Sequence, residues 1–282
     1  MLASIEQGSQ LRSQAQALDF PLNAEFDGKL VIASDGAPVE VASGLRFRVV
    51  GPMQPEIAAL HRKHEEWLEE LQREGRSPPE ALAAYVDCSV PNLSSIVVLA
   101  EAAGKSMLLT GDARGDKILE GLELIGALPA DGTLHVDLLK VPHHGSANNL
   151  DDDFFQRITA DHYVFSGDGE HGNPERESLQ MLWDARGDAP YTVHLTYPLD
   201  ELDEGRRLDW NKQQASERGK RERNPGRDIE VRPDWSPDEN GLVALFAEHP
   251  ELEAKLRIVE HGKAHVIDLA DPLGAAWPAL AG

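Results

Sequence analysis

Short apolar runs bounded by turn residues alternate along this chain with longer stretches whose apolar positions recur every three or four residues. The first pattern predicts strands and the second predicts helices. Runs 106–110 and 136–141 have the pattern of buried strands. Between them, 117–127 places Ile118, Leu119, Leu122 and Ile125 at helical spacing. Strand, helix, strand in that order predicts a right-handed crossover that brings both strand ends to one edge of a sheet.

The same reading extends along the chain. Residues 7–17 predict a short helix, and 29–33, 39–41 and 45–50 predict strands separated by Asp35-Gly36 and Ser43-Gly44 turns. Residues 52–76 read as a charged helix with Ile57, Leu60, Trp67, Leu68 and Leu71 along one stripe. A further short helix is expected at 79–85, then a strand at 96–101 turning through Ala103-Gly104. Downstream come a helix at 154–158, a strand at 162–166, a helix from Pro174 to Trp183 and a strand at 191–196. Ser236-Pro-Asp-Glu239 spells a helix start ahead of 241–248. Runs 256–259 and 264–269 predict a closing hairpin. Residues 200–237 are dominated by charge, Asn, Arg and Gly, and read as a flexible charged insertion carrying the one basic patch, 218–227. The fold class expected is mixed α/β in a single domain.

Composition narrows the function. The 282 residues hold 49 acidic and 27 basic side chains, a formal charge of −22. That field argues against an extended nucleic-acid footprint, because most of the surface repels a polyanion. A small-molecule or single phosphodiester substrate remains compatible. One cysteine, Cys88, excludes an intrachain disulfide and a multi-thiolate zinc site, and fits a reducing, cytoplasmic setting. No apolar run reaches the roughly 20 residues that span a bilayer, so no membrane partner is expected. Neither a phosphate loop nor a Gly-x-Ser-x-Gly elbow nor His-Glu-x-x-His occurs.

The candidate chemistry sits at strand ends. Gly111-Asp112 follows the first strand of the crossover, and Pro142-His143-His144-Gly-Ser146 follows the second. Carboxylate oxygen and neutral imidazole nitrogen are both ligands for a borderline divalent cation. A third candidate, His171, stands among Gly167, Gly169 and Gly172, which suggests a backbone brought close to a ligand or a solvent-exposed turn. His194 alternates with apolar neighbours and reads as a sheet-face residue; His261 and His265 read as structural.

Leu108-Leu-Thr-Gly-Asp112-Ala, Leu139-Lys-Val-Pro-His143-His144-Gly-Ser146, His171-Gly-Asn-Pro174 and the upstream Asn92-Leu-Ser94-Ser95-Ile96 together resemble the later half of a metallo-β-lactamase-fold hydrolase of the ComEC/Rec2-like branch. The resemblance covers roughly residues 40–185. It implies an αββα sandwich, incomplete at the amino terminus, and a site for two divalent cations, zinc first and manganese as the alternative. Asp112 would be a bridging metal ligand and His143 a terminal one. His144 would act beside the metal or as an alternative ligand, and His171 would donate a proton or hydrogen bond at the rim. The implied reaction is attack of a metal-bound hydroxide on a phosphoester or acyl-type substrate.

One departure bears on all of this. The family's first metal motif, His-x-His-x-Asp-His or a close variant, is absent; His61-Arg-Lys-His64-Glu-Glu66 has the wrong spacing and reads as a charged helix face. The missing ligands are therefore expected from an amino-terminal half or a protein partner, with Met1 reading as an internal start. The alternative is a degenerate, non-catalytic subunit of the same fold that binds a protein partner.

Overall fold

A computed structural model describes residues 2–35, 37–74, 94–151 and 153–270. The helix expected at 79–85, Cys88 and Asn92 lie outside the described residues. The chain is mixed α/β and divides into two compact units, residues 1–104 with 110–130 and residues 105–109 with 131–282.

The first unit opens with α1 (Leu2–Ala17), longer than the short helix expected. Strands β1 (Val39–Ala42), β2 (Leu45–Gly51) and β3 (Val97–Ala102) pair antiparallel in succession, with Arg48 opposite Leu99 and Val49 opposite Val98. Helix α2 (Gln54–Glu74) carries the His61-to-His64 stretch, in agreement with its reading as helix. Helix α3 (Gly115–Leu124) buries Ile118, Leu119 and Leu122. Each such side chain contributes about 1.5–3 kcal/mol of burial.

Gly121 fixes how α3 meets β2. A Cβ there would stand 2.0 Å from the Val50 carbonyl oxygen, so only glycine lets the two backbones come this close. Arg48 then donates from its guanidinium to the Ile125 carbonyl just past the end of α3. That places a cation on the negative end of the helix.

The second unit is built on five parallel strands: β4 (Lys105–Leu109), β5 (Leu134–Lys140), β6 (Ile158–Phe165), β7 (Thr192–Leu195) and β8 (Leu256–Ile258). Its aromatic residues pack edge to face, Phe154 on Phe155 at 5.4 Å, Phe155 on Tyr163 at 5.9 Å and Tyr163 on Tyr191 at 5.5 Å between ring centres. Such pairs add about 0.5–1.5 kcal/mol beyond area burial. Short α4 (Phe154–Arg157) leads into β6, and α5 (Arg176–Arg186) follows it.

Three sequence expectations differ from the structure. Residues 29–33 form no strand: Ala33 N–H donates to the Pro52 carbonyl at 2.8 Å, a single bond rather than a ladder, and Leu30 is exposed. Residues 264–269 do not return as a hairpin. The chain reaches β8 through α7 (Pro237–Asn240), α8 (Leu242–Glu248) and α9 (Pro250–Glu253), and that crossover makes β8 pair parallel with β7, Val193 opposite Leu256.

The third difference concerns 200–237. Instead of a flexible insertion it begins with α6 (Leu199–Arg223), 25 residues long. Its charges are spent on helix-surface pairs such as Arg207 with Glu204 at 2.7 Å. The segment beyond folds back on it: Arg232 forms a two-pronged pair with Glu217, and Trp235 packs edge-on against Trp210 at 5.8 Å. Ser236 caps α7 by accepting from Glu239 N–H, as its spelling predicted.

Candidate functional site

Asp112 is the third residue after β4 and belongs to the first unit. Gly111 turns the chain there with φ +54°, which an L side chain tolerates poorly. Ser95 Oγ accepts the Asp112 backbone N–H at 3.3 Å. A Cβ on Gly111 would approach the Ser95 Cβ to 3.2 Å, so the Ser94-Ser95 stretch and the Gly-Asp turn are packed together.

His143 is the third residue after β5, in a 3-10 turn spanning Pro142–Gly145 in the second unit. His143 and His144 both adopt left-handed backbone, φ +46° and +57°, and their rings meet edge-on at 6.3 Å. His144 Nδ1 lies 3.2 Å from Ser166 Oγ at the end of β6. Two imidazoles side by side in a left-handed turn aim their rings in different directions, so one turn presents two distinct donors.

The loop carrying His171 is tied to that turn. Asn173 Nδ2 donates to the His143 carbonyl at 3.3 Å, Glu175 N–H donates to the Gly145 carbonyl at 3.0 Å, and Ser146 Oγ donates to Glu175 Oε1 at 3.1 Å. Burial pushes the Glu175 carboxyl above its ordinary value, the Ser146 hydrogen bond opposing it. His171 itself has φ +58° and is exposed, with Glu170 Oε1 3.9 Å from its Nε2.

Of the glycines around His171, Gly169 is closely packed, whereas Gly172 faces open space with φ +83°. A Cβ on Gly169 would fall 2.5 Å from the Leu202 carbonyl oxygen, and one on Gly205 would fall 2.6 Å from that of Asp168. They let the loop cross α6 backbone to backbone. The structure thus brings His143, His144 and the His171 loop into one bonded assembly within the second unit, while Asp112 is held by Ser95 in the first.

Sequence reasoning missed a second imidazole assembly. His162 Nδ1 is 3.0 Å from His194 Nε2, and His194 Nδ1 is 2.9 Å from His265 Nε2. Burial, reinforced by the neighbouring imidazoles, pushes the His194 pKa down to about 3; His162 and His265 are lowered mainly by burial. β6 and β7 pair so that Val164 lies opposite His194, placing His162 on the diagonal of the same face, a register that the sequence does not spell out. His261 pairs instead with Glu201 at 3.1 Å.

Among the described residues no group of three or more His, Cys, Asp or Glu side chains could hold a metal ion. No described helix is long and apolar enough to cross a membrane.

Comparison with known proteins gives partial similarities. The chain is 31% identical over 114 residues to microtubule-associated protein 1A of Rattus norvegicus and 35% identical over 94 residues to that of Mus musculus, covering 40% and 33% of this chain. It is 30% identical over 98 residues, 34% of its length, to ComE operon protein 3 of Bacillus subtilis (strain 168). The matched segments span only 4%, 3% and 12% of those relatives' own lengths. No family model matches the chain, and no solved structure does. What the chain shares with ComE operon protein 3 is therefore a weak likeness over a third of its length.

Proposed function

We propose that this chain is part of a metal-dependent hydrolase of metallo-β-lactamase fold, acting on a phosphoester or acyl-type substrate. The observation that carries the reading is where each candidate ligand stands along the chain, just past the end of a strand. Strands β4 and β5 run parallel with Met107 opposite Leu138, and each is followed at the third residue by a ligand-type side chain, Asp112 and His143. Left-handed backbone supports it: the described non-glycine residues with positive φ include His143, His144 and His171, the three histidines singled out by motif.

In this reading Asp112 and His143 are two of the ligands of a dinuclear zinc or manganese site, and the others come from a first motif carried outside this sequence. Bound divalent cations would lower the pKa of a coordinated water to about 7 and neutralise developing charge. The chain's own groups do the rest. Ser95 holds the Asp112 backbone, the Asn173 and Glu175 bonds hold the histidine turn, and His171 donates at the rim.

A second reading is a degenerate subunit that binds a protein partner. It is favoured by the incomplete donor set and by the similarity to proteins named for association with microtubules.

Elemental analysis of the purified chain separates the two. Bound zinc or manganese that is lost in both Asp112→Ala and His143→Ala supports the hydrolase reading. Substoichiometric metal unchanged by either substitution means that this chain alone is half a site; the measurement is then repeated with the missing motif supplied, where metal retained in both variants removes those residues from the site and leaves the degenerate subunit. Hydrolysis of bis(4-nitrophenyl) phosphate and of 4-nitrophenyl acetate then reports the substrate class.

A further inference from the structure

A cavity of about 370 Å³ opens in the second unit between α5, α6, the His171 loop and the segment after α6. That volume is at the lower end of small-molecule sites. Two indoles, Trp210 and Trp235, form part of its wall, and its charged lining comprises three guanidiniums and four carboxylates.

The charges are not equally available. Arg206 is buried and bonds Asp203 at 3.3 Å and the Gly172 and Asn240 carbonyls. Arg232 is matched by Glu217, and Arg176 by Glu248 at 3.1 Å. Asp203, Glu217 and Glu248 all stand outside the lining, so each guanidinium is neutralised from behind the wall. The lining carboxylates add to this negative charge: Glu175 accepts from the Ser146 hydroxyl and the Ala147 N–H, Asp209 accepts from the Gln213 amide, and Glu175 and Glu177 share Arg206 with Asp203. With Asp203, Glu217 and Glu248 included, seven carboxylates stand against three guanidiniums, so the cavity field is negative.

A bare metal ion does not suit it. No three of these carboxylates converge as ligands would, and indole walls offer a cation no lone pair. They offer an apolar wall instead, and cations already lie against it from within the chain. Arg232 already lies over Trp210 at 4.9 Å and Arg206 over Trp235 at 5.5 Å, so the indoles of this wall are already cation-binding surfaces.

We propose that this cavity binds an organic cation, an ammonium or guanidinium group on an aliphatic stem, with the stem against the two indoles and the charge shared by Asp209, Glu177 and Glu239. The same chemistry is presented by a free polyamine and by a lysine or arginine side chain of a polypeptide. The inference stands independently of the hydrolase reading, because what it predicts is binding.

The test is calorimetric titration of the purified chain with spermidine, with a blocked trilysine peptide and with inorganic phosphate, at about 0.15 M salt. Saturable binding of an amine probe is expected. It should weaken about tenfold in the double variant Glu177→Gln, Asp209→Asn, as loss of two charge contacts implies. Because a chain of charge −22 attracts polyamines everywhere, a control pair outside the cavity lining, Glu25→Gln with Glu40→Gln, should leave the affinity unchanged. Tighter binding of spermidine identifies a free amine as the ligand; tighter binding of trilysine identifies a polypeptide. The proposal is overturned if neither amine saturates, if the control pair weakens binding equally, or if phosphate binds and the cavity variant strengthens it. Thermal unfolding of each variant, compared with the parent, confirms that the fold persists.

Discussion

Ser95 Oγ accepts the backbone N–H of Asp112 at 3.3 Å, joining residues that stand 17 positions apart in the chain. The bond fixes the peptide that carries the candidate ligand, and Gly111 packs closely against the same serine, where an added Cβ would stand 3.2 Å from the Ser95 Cβ. A carboxylate that is to hold a cation must be aimed before the cation arrives, and a serine behind its backbone does this without competing for the metal.

Ser95→Ala is therefore expected to cost about 1 kcal/mol of stability, the usual worth of one such bond. It should also weaken metal binding by at least tenfold, as loss of an outer-shell partner typically does. Urea unfolding reads the first effect and zinc titration of the chain, completed by its missing ligands, reads the second. A loss of stability with unchanged affinity would leave Ser95 a packing residue only.

Gly121→Ala should be far more damaging than its size suggests. The new Cβ would meet the Val50 carbonyl oxygen at 2.0 Å, and a backbone atom cannot swing aside as a side chain can. Helix propensity alone favours alanine by about 1 kcal/mol. A net destabilisation of about 2–3 kcal/mol in denaturant unfolding is expected instead, from forcing α3 away from β2.

What the chain revealed in advance follows from how its elements are stabilised. The crossover from β4 through α3 to β5 was legible because each element is specified locally, by a short, mainly apolar run or by Ile118, Leu119 and Leu122 at helical spacing. Helix α6 was not, because its stripe is nearly all polar and only Leu202, Arg206 and Gln214 are buried along it. Its order comes from partners far along the chain: Gln214 Nε2 bonds the Arg232 carbonyl and Asp234, and Glu217 bonds Arg232. The candidate histidines 143 and 144 were legible as a motif after a strand. The His162, His194 and His265 run was not, since His162 and His194 meet only through the register of β6 and β7, and His265 joins them from 71 positions beyond His194.

Asp203 gives a sharper test of the α6 region. Its carboxylate accepts from Leu242 N–H at 2.7 Å and Val243 N–H at 3.1 Å, capping α8, and also faces buried Arg206. Asp203→Ala removes the cap and leaves Arg206 without its counter-charge. A loss of about 3–5 kcal/mol is expected, as for breaking a buried pair from one side. Asp203→Asn keeps an acceptor and should recover part of it, measured by the same unfolding experiment.

The imidazole run makes stability depend on pH in a defined direction. His194 titrates near pH 3 when folded against an ordinary value of 6.5, and His162 and His265 are shifted the same way. A depressed value means that the unfolded chain takes up protons first. The stability linked to these rings is therefore fully present above about pH 6.5 and is lost as the pH falls from there toward 3. Each proton taken up on unfolding contributes a slope of about 1.4 kcal/mol per pH unit within that window. Other charges face these rings as well: Asp161 and Asp137 favour protonation of His162, while Lys105 and, at His194, Arg257 oppose it. Urea unfolding at half-unit steps from pH 7.5 to 4.5 should show stability declining below 6.5, and His194→Gln should flatten that decline while leaving the fold intact. An unchanged slope in the variant would mean that His194 carries no part of the proton linkage.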